Sequence, residues 1–154
     1  MGLGKSYRIV KDPIELEVYE VDALRQSVAS QPTVLIVDDD IGVLGALARL
    51  LRAEGFDARA FESPRRLLAS EIPRTGACLL SDLFMPEMNG VELSRALAAS
   101  GRCLPLIIMT GRNDAQSRQL LHGVDAIAVL FKPFDPELLR DAIDRAFALT
   151  PPNA

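Results

Sequence analysis

From Thr33 onward, short runs of apolar residues alternate with stretches whose apolar residues recur every three or four positions. Thr33-Val34-Leu35-Ile36-Val37 is continuous and rich in β-branched residues, the pattern of a strand covered on both faces. Leu44, Leu47, Ala48, Leu50 and Leu51 then fall at helical spacing as far as Gly55, a suitable C-cap. Residues 58–61 alternate as a short strand, and Ser63-Pro64 supplies an N-cap followed by proline at the first helical position. That helix is expected to carry Leu67 and Leu68 inward and to stop before Pro73. Residues 77–81 read as a second buried strand ending at Asp82, followed by a turn-rich segment and a helix through Val91, Leu93, Leu97 and Ala98. A strand over 106–109 ends at Thr110-Gly111, a weaker helix spans 114–122, and residues 126–130 form the last strand. Lys132-Pro133-Phe134 closes it, and Asp135-Pro136 opens a final helix carrying Leu138, Leu139, Ile143, Ala146 and Phe147.

Strands alternating with helices in this way predict an α/β fold, an open and mostly parallel sheet with helices on both faces. Right-handed crossovers make it doubly wound. Residues 1–32 differ in texture and form an N-terminal extension, charged and punctuated by Ser30-Gln31-Pro32. Within it, residues 7–10 suggest a strand. Asp12-Pro13 then opens a segment whose Ile14, Val18, Val21, Leu24 and Val28 are close to helical spacing, although Ile14, Leu16 and Val18 also alternate as a strand would. Residues 149–154 read as tail or linker.

Composition narrows the function classes. At 154 residues, 49% hydrophobic and 25% charged, the chain is ordinary globular material, and a net charge of −4 does not suggest direct nucleic-acid binding. No apolar run approaches the roughly 18 residues that span a bilayer, and the start lacks the apolar stretch of a signal peptide, so a cytoplasmic protein is expected. Cys78 and Cys103 are too few for a disulfide framework, and the single His122 leaves no Cys/His metal cluster.

Ligands of such sheets bind beyond the carboxyl ends of the strands. There the first strand ends in Asp38-Asp39-Asp40, the third in Asp82, the fourth in Thr110 and the fifth in Lys132. Carboxylates from neighbouring strand ends repel one another unless a cation joins them. A hard divalent ion with oxygen ligands is the natural partner, and Mg²⁺ takes one or two carboxylates together with waters and phosphate oxygens. With Lys132 to neutralise charge and Thr110 to donate a hydrogen bond, the set suits in-line phosphoryl transfer.

The segments VLIVDDD, LLSDLFMPEMNG, LIIMTG and LFKPF, in this order over residues 33–148, resemble the receiver domain of two-component response regulators. The wording is closest to receivers of LuxR-type regulators. The resemblance implies a flavodoxin-like sheet with strand order 2-1-3-4-5. It makes Asp82 the phosphoacceptor and Asp39 a direct Mg²⁺ ligand, with Asp38 acting mainly through water and the backbone carbonyl of Phe84 completing the set. Lys132 would pair with Asp82, Thr110 would turn to the phosphoryl group after transfer, and the Lys132–Pro133 bond would often be cis. Asp40 would serve only as a first-turn acid. Phe84 and Arg112 stand where the family tunes access of water to the phosphoryl group. The implied partners are a sensor histidine kinase or phosphotransfer protein and a downstream protein, and a homodimer is a further form to expect. Such a protein catalyses only its own phosphorylation and dephosphorylation.

The sequence departs from the family at Val129, where a switching aromatic is usual, and at Gly123, which lies two residues further from the lysine than the usual glycine. Transmission is therefore expected to run mainly through residues 111–124. An alternative is that the chain is the receiver of a DNA-binding transcriptional regulator, with Pro151-Pro152 beginning a linker. A haloacid-dehalogenase-like phosphatase fits less well, because Gly42 stands where that family needs Thr or Val. A degenerate receiver is disfavoured because all the site residues are present.

Overall fold

The computed structural model describes residues 31–149. In chain order these form β1 (Thr33–Val37), α1 (Ile41–Ala53), β2 (Asp57–Phe61), α2 (Pro64–Leu68), β3 (Ala77–Asp82), α3 (Gly90–Ala99), β4 (Leu106–Thr110), α4 (Ala115–Leu121), β5 (Ala128–Phe131) and α5 (Pro136–Leu149). The readings made for residues 1–30 and 150–154 lie outside the described residues.

The helices start where the sequence supplies acceptors for their first free N–H groups. Ser63 Oγ accepts from the Arg66 N–H, and Asn89 and Glu92 form a reciprocal capping box at α3. Asp114 caps α4 by accepting from the Ser117 N–H. Asp40 does more than the first-turn role expected of it. It is the N-cap of α1, its Oδ1 accepting from the N–H groups of Gly42 and Val43. Just past the end of α1, Gly55 takes a φ of +96°, a left-handed conformation that glycine adopts without a Cβ penalty.

The strands form one parallel sheet of five, ordered β2-β1-β3-β4-β5. Alternate side chains of the central strands feed two cores. Val34, Ile36, Cys78, Leu80, Ile107 and Met109 meet Leu44, Leu47, Leu51 of α1 and Leu139, Ile143, Ala146 of α5. On the opposite face Leu35, Val37, Leu79 and Ile108 meet Leu67 of α2 and Val91, Leu93, Leu97 of α3. Burial on both sides explains why β1, β3 and β4 are continuously apolar in sequence.

The inward assignment of Leu68 is corrected, and two further helical residues also turn outward. Leu68 and Leu138 are exposed, and Ala98 faces solvent as well. Each adjoins a fully buried neighbour (Leu67, Leu139 and Leu97), and one helical residue turns the next side chain about 100° away. α2 is only five residues long, so it has no second turn with which to bring Leu68 back. β5 begins at Ala128 rather than 126, although Ile127 already donates to the Leu106 carbonyl at 2.7 Å. The Lys132–Pro133 bond is cis.

The turn after β3 folds tightly onto the strand that it leaves. The Gly90 N–H donates to the Leu83 carbonyl at 3.0 Å. A Cβ on Gly90 would lie 2.6 Å from the Asp82 carbonyl oxygen and 3.0 Å from both Ser81 Oγ and Ile108 Cδ1. Gly90→Ala is therefore expected to cost about 1–3 kcal/mol, the usual range for overpacking, measured by urea unfolding.

Candidate functional site

β1, β3, β4 and β5 all end on the same side of the sheet, so the side chains that follow them converge. One carboxylate oxygen each from Asp38, Asp39 and Asp82 comes within 4.8 Å of the others. Their surroundings differ. Asp38 is buried, and both its oxygens are engaged: Oδ1 accepts the Asp40 N–H at 2.9 Å and Oδ2 accepts from Lys132 Nζ at 2.7 Å. Asp39 is exposed, and among the described residues its carboxylate takes no hydrogen bond. Asp82 lies between these extremes, its side chain 13% exposed.

Lys132 arrives from the end of β5 and touches two of the three carboxylates. Its Nζ lies 3.3 Å from Asp82 Oδ1, longer than its contact with Asp38. The expected pairing with Asp82 is thus present, but the closer partner is Asp38. Burial works against the ammonium charge, yet the hydrogen bond to Asp38 and the attraction of Asp82 and Asp38 outweigh it and raise the lysine's pKa. Asp82 is pushed from 3.8 up to about 6, first by burial and then by the neighbouring Asp38 charge, with Lys132 opposing and Asp39 adding to the rise. Although it shares Lys132, Asp82 is therefore held uncomfortably in its ionised form.

Thr110 ends β4 with its hydroxyl buried. Among the described residues Oγ1 does not bond to Asp82. It accepts from the Arg112 N–H at 3.1 Å and donates to the Arg112 carbonyl at 3.3 Å. Phe84 lies in the turn after β3 with the Arg112 guanidinium 4.1 Å above its ring. Arg112 also donates from Nε and Nη2 to Asp114 Oδ2, at 2.9 and 2.6 Å, and from Nη2 to Gln116 Oε1 at 2.8 Å. The two N-cap bonds from Ser117, with the Arg112 contacts, hold the Asp114 carboxyl well below the usual carboxylate range. Val129 sits half-buried in β5, packed against the second core.

Sequence reasoning missed this Arg112–Phe84–Asp114 cluster as a unit. Its signal was positional: Phe84 and Arg112 each stand two residues beyond the ends of β3 and β4, which are neighbours in the sheet. The remaining candidates are structural. Cys78 is a core residue whose thiol burial raises to about 12, Cys103 is an exposed loop thiol, and His122 is exposed beyond α4.

The donor set is all carboxylate, with one buried and pre-engaged, one partly buried and one open. Hard oxygen donors of this kind suit a hard divalent ion, and the residues present fit Mg²⁺.

Comparison with known proteins is consistent with this arrangement. Residues 34–144 match the family model of the response regulator receiver domain. The response regulator protein TmoT of Ectopseudomonas mendocina is 37% identical over 128 residues, covering 82% of this chain and 58% of that protein. The transcriptional regulatory protein FixJ of Rhizobium meliloti is 35% identical over 114 residues, covering 74% of this chain and 56% of its own. The crystal structure of FixJ-N matches with a TM-score of 0.68 at 34% identity, over 75% of this chain and 93% of that one. The chain spans just over half the length of these curated relatives. Five parallel strands in the order 2-1-3-4-5, an acidic cluster at their carboxyl ends and a family match across most of the chain lead to one conclusion: the chain belongs to the response regulator receiver family of two-component systems.

Proposed function

We propose that Asp82 accepts a phosphoryl group from a phosphohistidine of a sensor kinase or phosphotransfer protein, within a receiver unit formed by residues 33–148. The observation that carries this reading is the convergence of the Asp38, Asp39 and Asp82 carboxylates, two of which, Asp38 and Asp82, share Lys132 Nζ. In the transfer, an Asp82 oxygen attacks phosphorus in line, the O–P bond forms as the P–N bond breaks, and the imidazole leaves with a proton. Lys132 holds Asp82 in place and offsets charge gathering on the phosphoryl oxygens. Asp39, Asp82 and the Phe84 carbonyl would hold Mg²⁺, with Asp38 acting from behind because both its oxygens are already bonded. The ion supplies charge neutralisation for the incoming phosphoryl oxygens. Thr110 is the hydroxyl nearest in sequence to this end of β4, and it would donate to the phosphoryl group once its present bonds are released. The activity is self-modification rather than turnover of a substrate pool.

Output is proposed to run through a protein partner in the cytoplasm. Among the described residues no helix is long and apolar enough to cross a membrane. A second reading has a specific observation behind it. FixJ bears the name of a transcriptional regulator, and this chain matches only about half of it. Residues 33–148 would then switch a DNA-binding domain rather than a free-standing partner, with residues 1–32 and 149–154 as flanking segments.

Acetyl phosphate with Mg²⁺ is expected to add one phosphoryl group per chain, labile to acid and base, and Asp82→Asn is expected to abolish it by mass spectrometry. Persistent labelling of that variant would overturn the assignment. Asp39→Ala should weaken Mg²⁺ binding by about tenfold or more, because it removes the open carboxylate. Asp40→Ala should cost about 1 kcal/mol of stability as a lost N-cap while leaving Mg²⁺ affinity nearly unchanged. Calorimetric titration and urea unfolding separate the two effects.

The raised Asp82 pKa sets a pH dependence in metal-free buffer. The folded chain holds this proton more tightly than the unfolded chain does. The stabilisation is therefore fully present below 3.8 and is lost as pH rises through about 6. At pH 8 Asp82→Asn should be more stable than the parent chain by about 1–3 kcal/mol, with the difference vanishing toward pH 4, measured by urea unfolding at each pH.

A further inference from the structure

Arg112 has no part in the transfer chemistry described above, yet it holds the Thr110 hydroxyl and reaches the turn after β3 and the start of α4. Its backbone N–H and carbonyl hold both hydrogen bonds of the Thr110 hydroxyl. Its side chain is fastened at separate points: over the Phe84 ring at 4.1 Å, to Asp114 through two nitrogens, and to Gln116. We propose that Arg112 is a positioning residue that latches Thr110 away from Asp82, and that the latch opens when a phosphoryl group occupies Asp82. This rests on the reading of Asp82 as phosphoacceptor.

The Thr110 residue is 1% exposed, so water does not replace a hydrogen bond that its hydroxyl gives up. Turning toward Asp82 sacrifices both bonds to Arg112, and only a strongly charged acceptor compensates for that loss. Nor is the turn from Thr110 to Arg112 free to open alone. The guanidinium lies across the turn after β3, and Asp114 ties the same side chain to the start of α4. Moving Thr110 therefore loosens the Phe84 stack and the α4 N-cap network together. A planar guanidinium serves here because it stacks on the ring and presents a fork to the carboxylate at the same time. The two ends of this device are the Thr110 hydroxyl and the Phe84 ring, and the charge on Asp82 biases it between two arrangements.

The test uses the full chain with Mg²⁺ and beryllofluoride, a phosphoryl mimic, titrated by calorimetry. Arg112→Ala and Phe84→Leu are each expected to tighten beryllofluoride binding about two- to fivefold, the worth of an exposed cation–π contact. Phe84→Leu keeps apolar bulk and the backbone carbonyl but removes the π face. The double variant should bind no more tightly than either single one, because both remove the same contact. In the parent chain the Arg112 Nε–H resonance, shifted by the Phe84 ring, should move toward its solvent value as beryllofluoride is added. Unchanged or weakened affinity in both single variants overturns the latch, as do independent additive gains or an unmoved Arg112 resonance. A parent chain that takes up no beryllofluoride overturns the Asp82 reading itself, and the latch with it.

Discussion

Crowding of negative charge at one end of a parallel sheet is the constraint on which the other features of this molecule depend. Three carboxylate oxygens share a region 4.8 Å across, and one of the three residues, Asp38, is almost wholly removed from water. At such separations repulsion in a poorly solvated site is strong, and the chain answers it locally. The Asp40 N–H and Lys132 Nζ take the two Asp38 oxygens, which fixes the Asp38 side chain in place. The remaining strain falls on Asp82, whose carboxyl is reluctant to ionise. The same arrangement makes Asp82 responsive to an added cation, which relieves the repulsion among the three carboxylates.

The fold meets this constraint by sorting its helices. α1 and α5 bury four fully enclosed residues of α5 and most of the inner face of α1 against one side of the sheet. That side carries the fixed elements of the site: the Asp38–Asp40 run leads into α1, and Lys132 leads into α5. The turn after β3 and the segment after β4 lead into helices on the other side. The two sets of site elements therefore lead into helices on opposite faces of a single sheet.

Much of this was legible in the sequence. Continuous apolar runs such as 33–37 and 106–109 marked strands enclosed on both faces, and each ended in the polar residue that now lines the site. Asp38, Asp39, Asp82, Thr110 and Lys132 were found because strand ends are fixed by topology and need no side-chain geometry to locate. What escaped was pairwise contact. Nothing in the spacing says that Lys132 lies nearer Asp38 than Asp82, because that depends on rotamers and burial. Asp40 was read as a helix-dipole acid when it is the cap, since three consecutive acids do not reveal which of them faces the first free N–H groups. Leu68 was read inward because a pair of adjacent leucines shows that a helix has an apolar face without showing which member lies on it.

The shortness of α4 has one further consequence. Its fully buried residue is Ser117, held to Asp114 by its hydroxyl and its N–H, and its leucines 120 and 121 are only partly covered. Detachment of this helix thus exposes little hydrocarbon, so it releases little heat capacity and responds weakly to denaturant. Such an opening is nearly invisible to a melting curve, yet amide exchange records it. An opening of this flank would therefore pass unnoticed in bulk unfolding and be read only from the exchange of its amides.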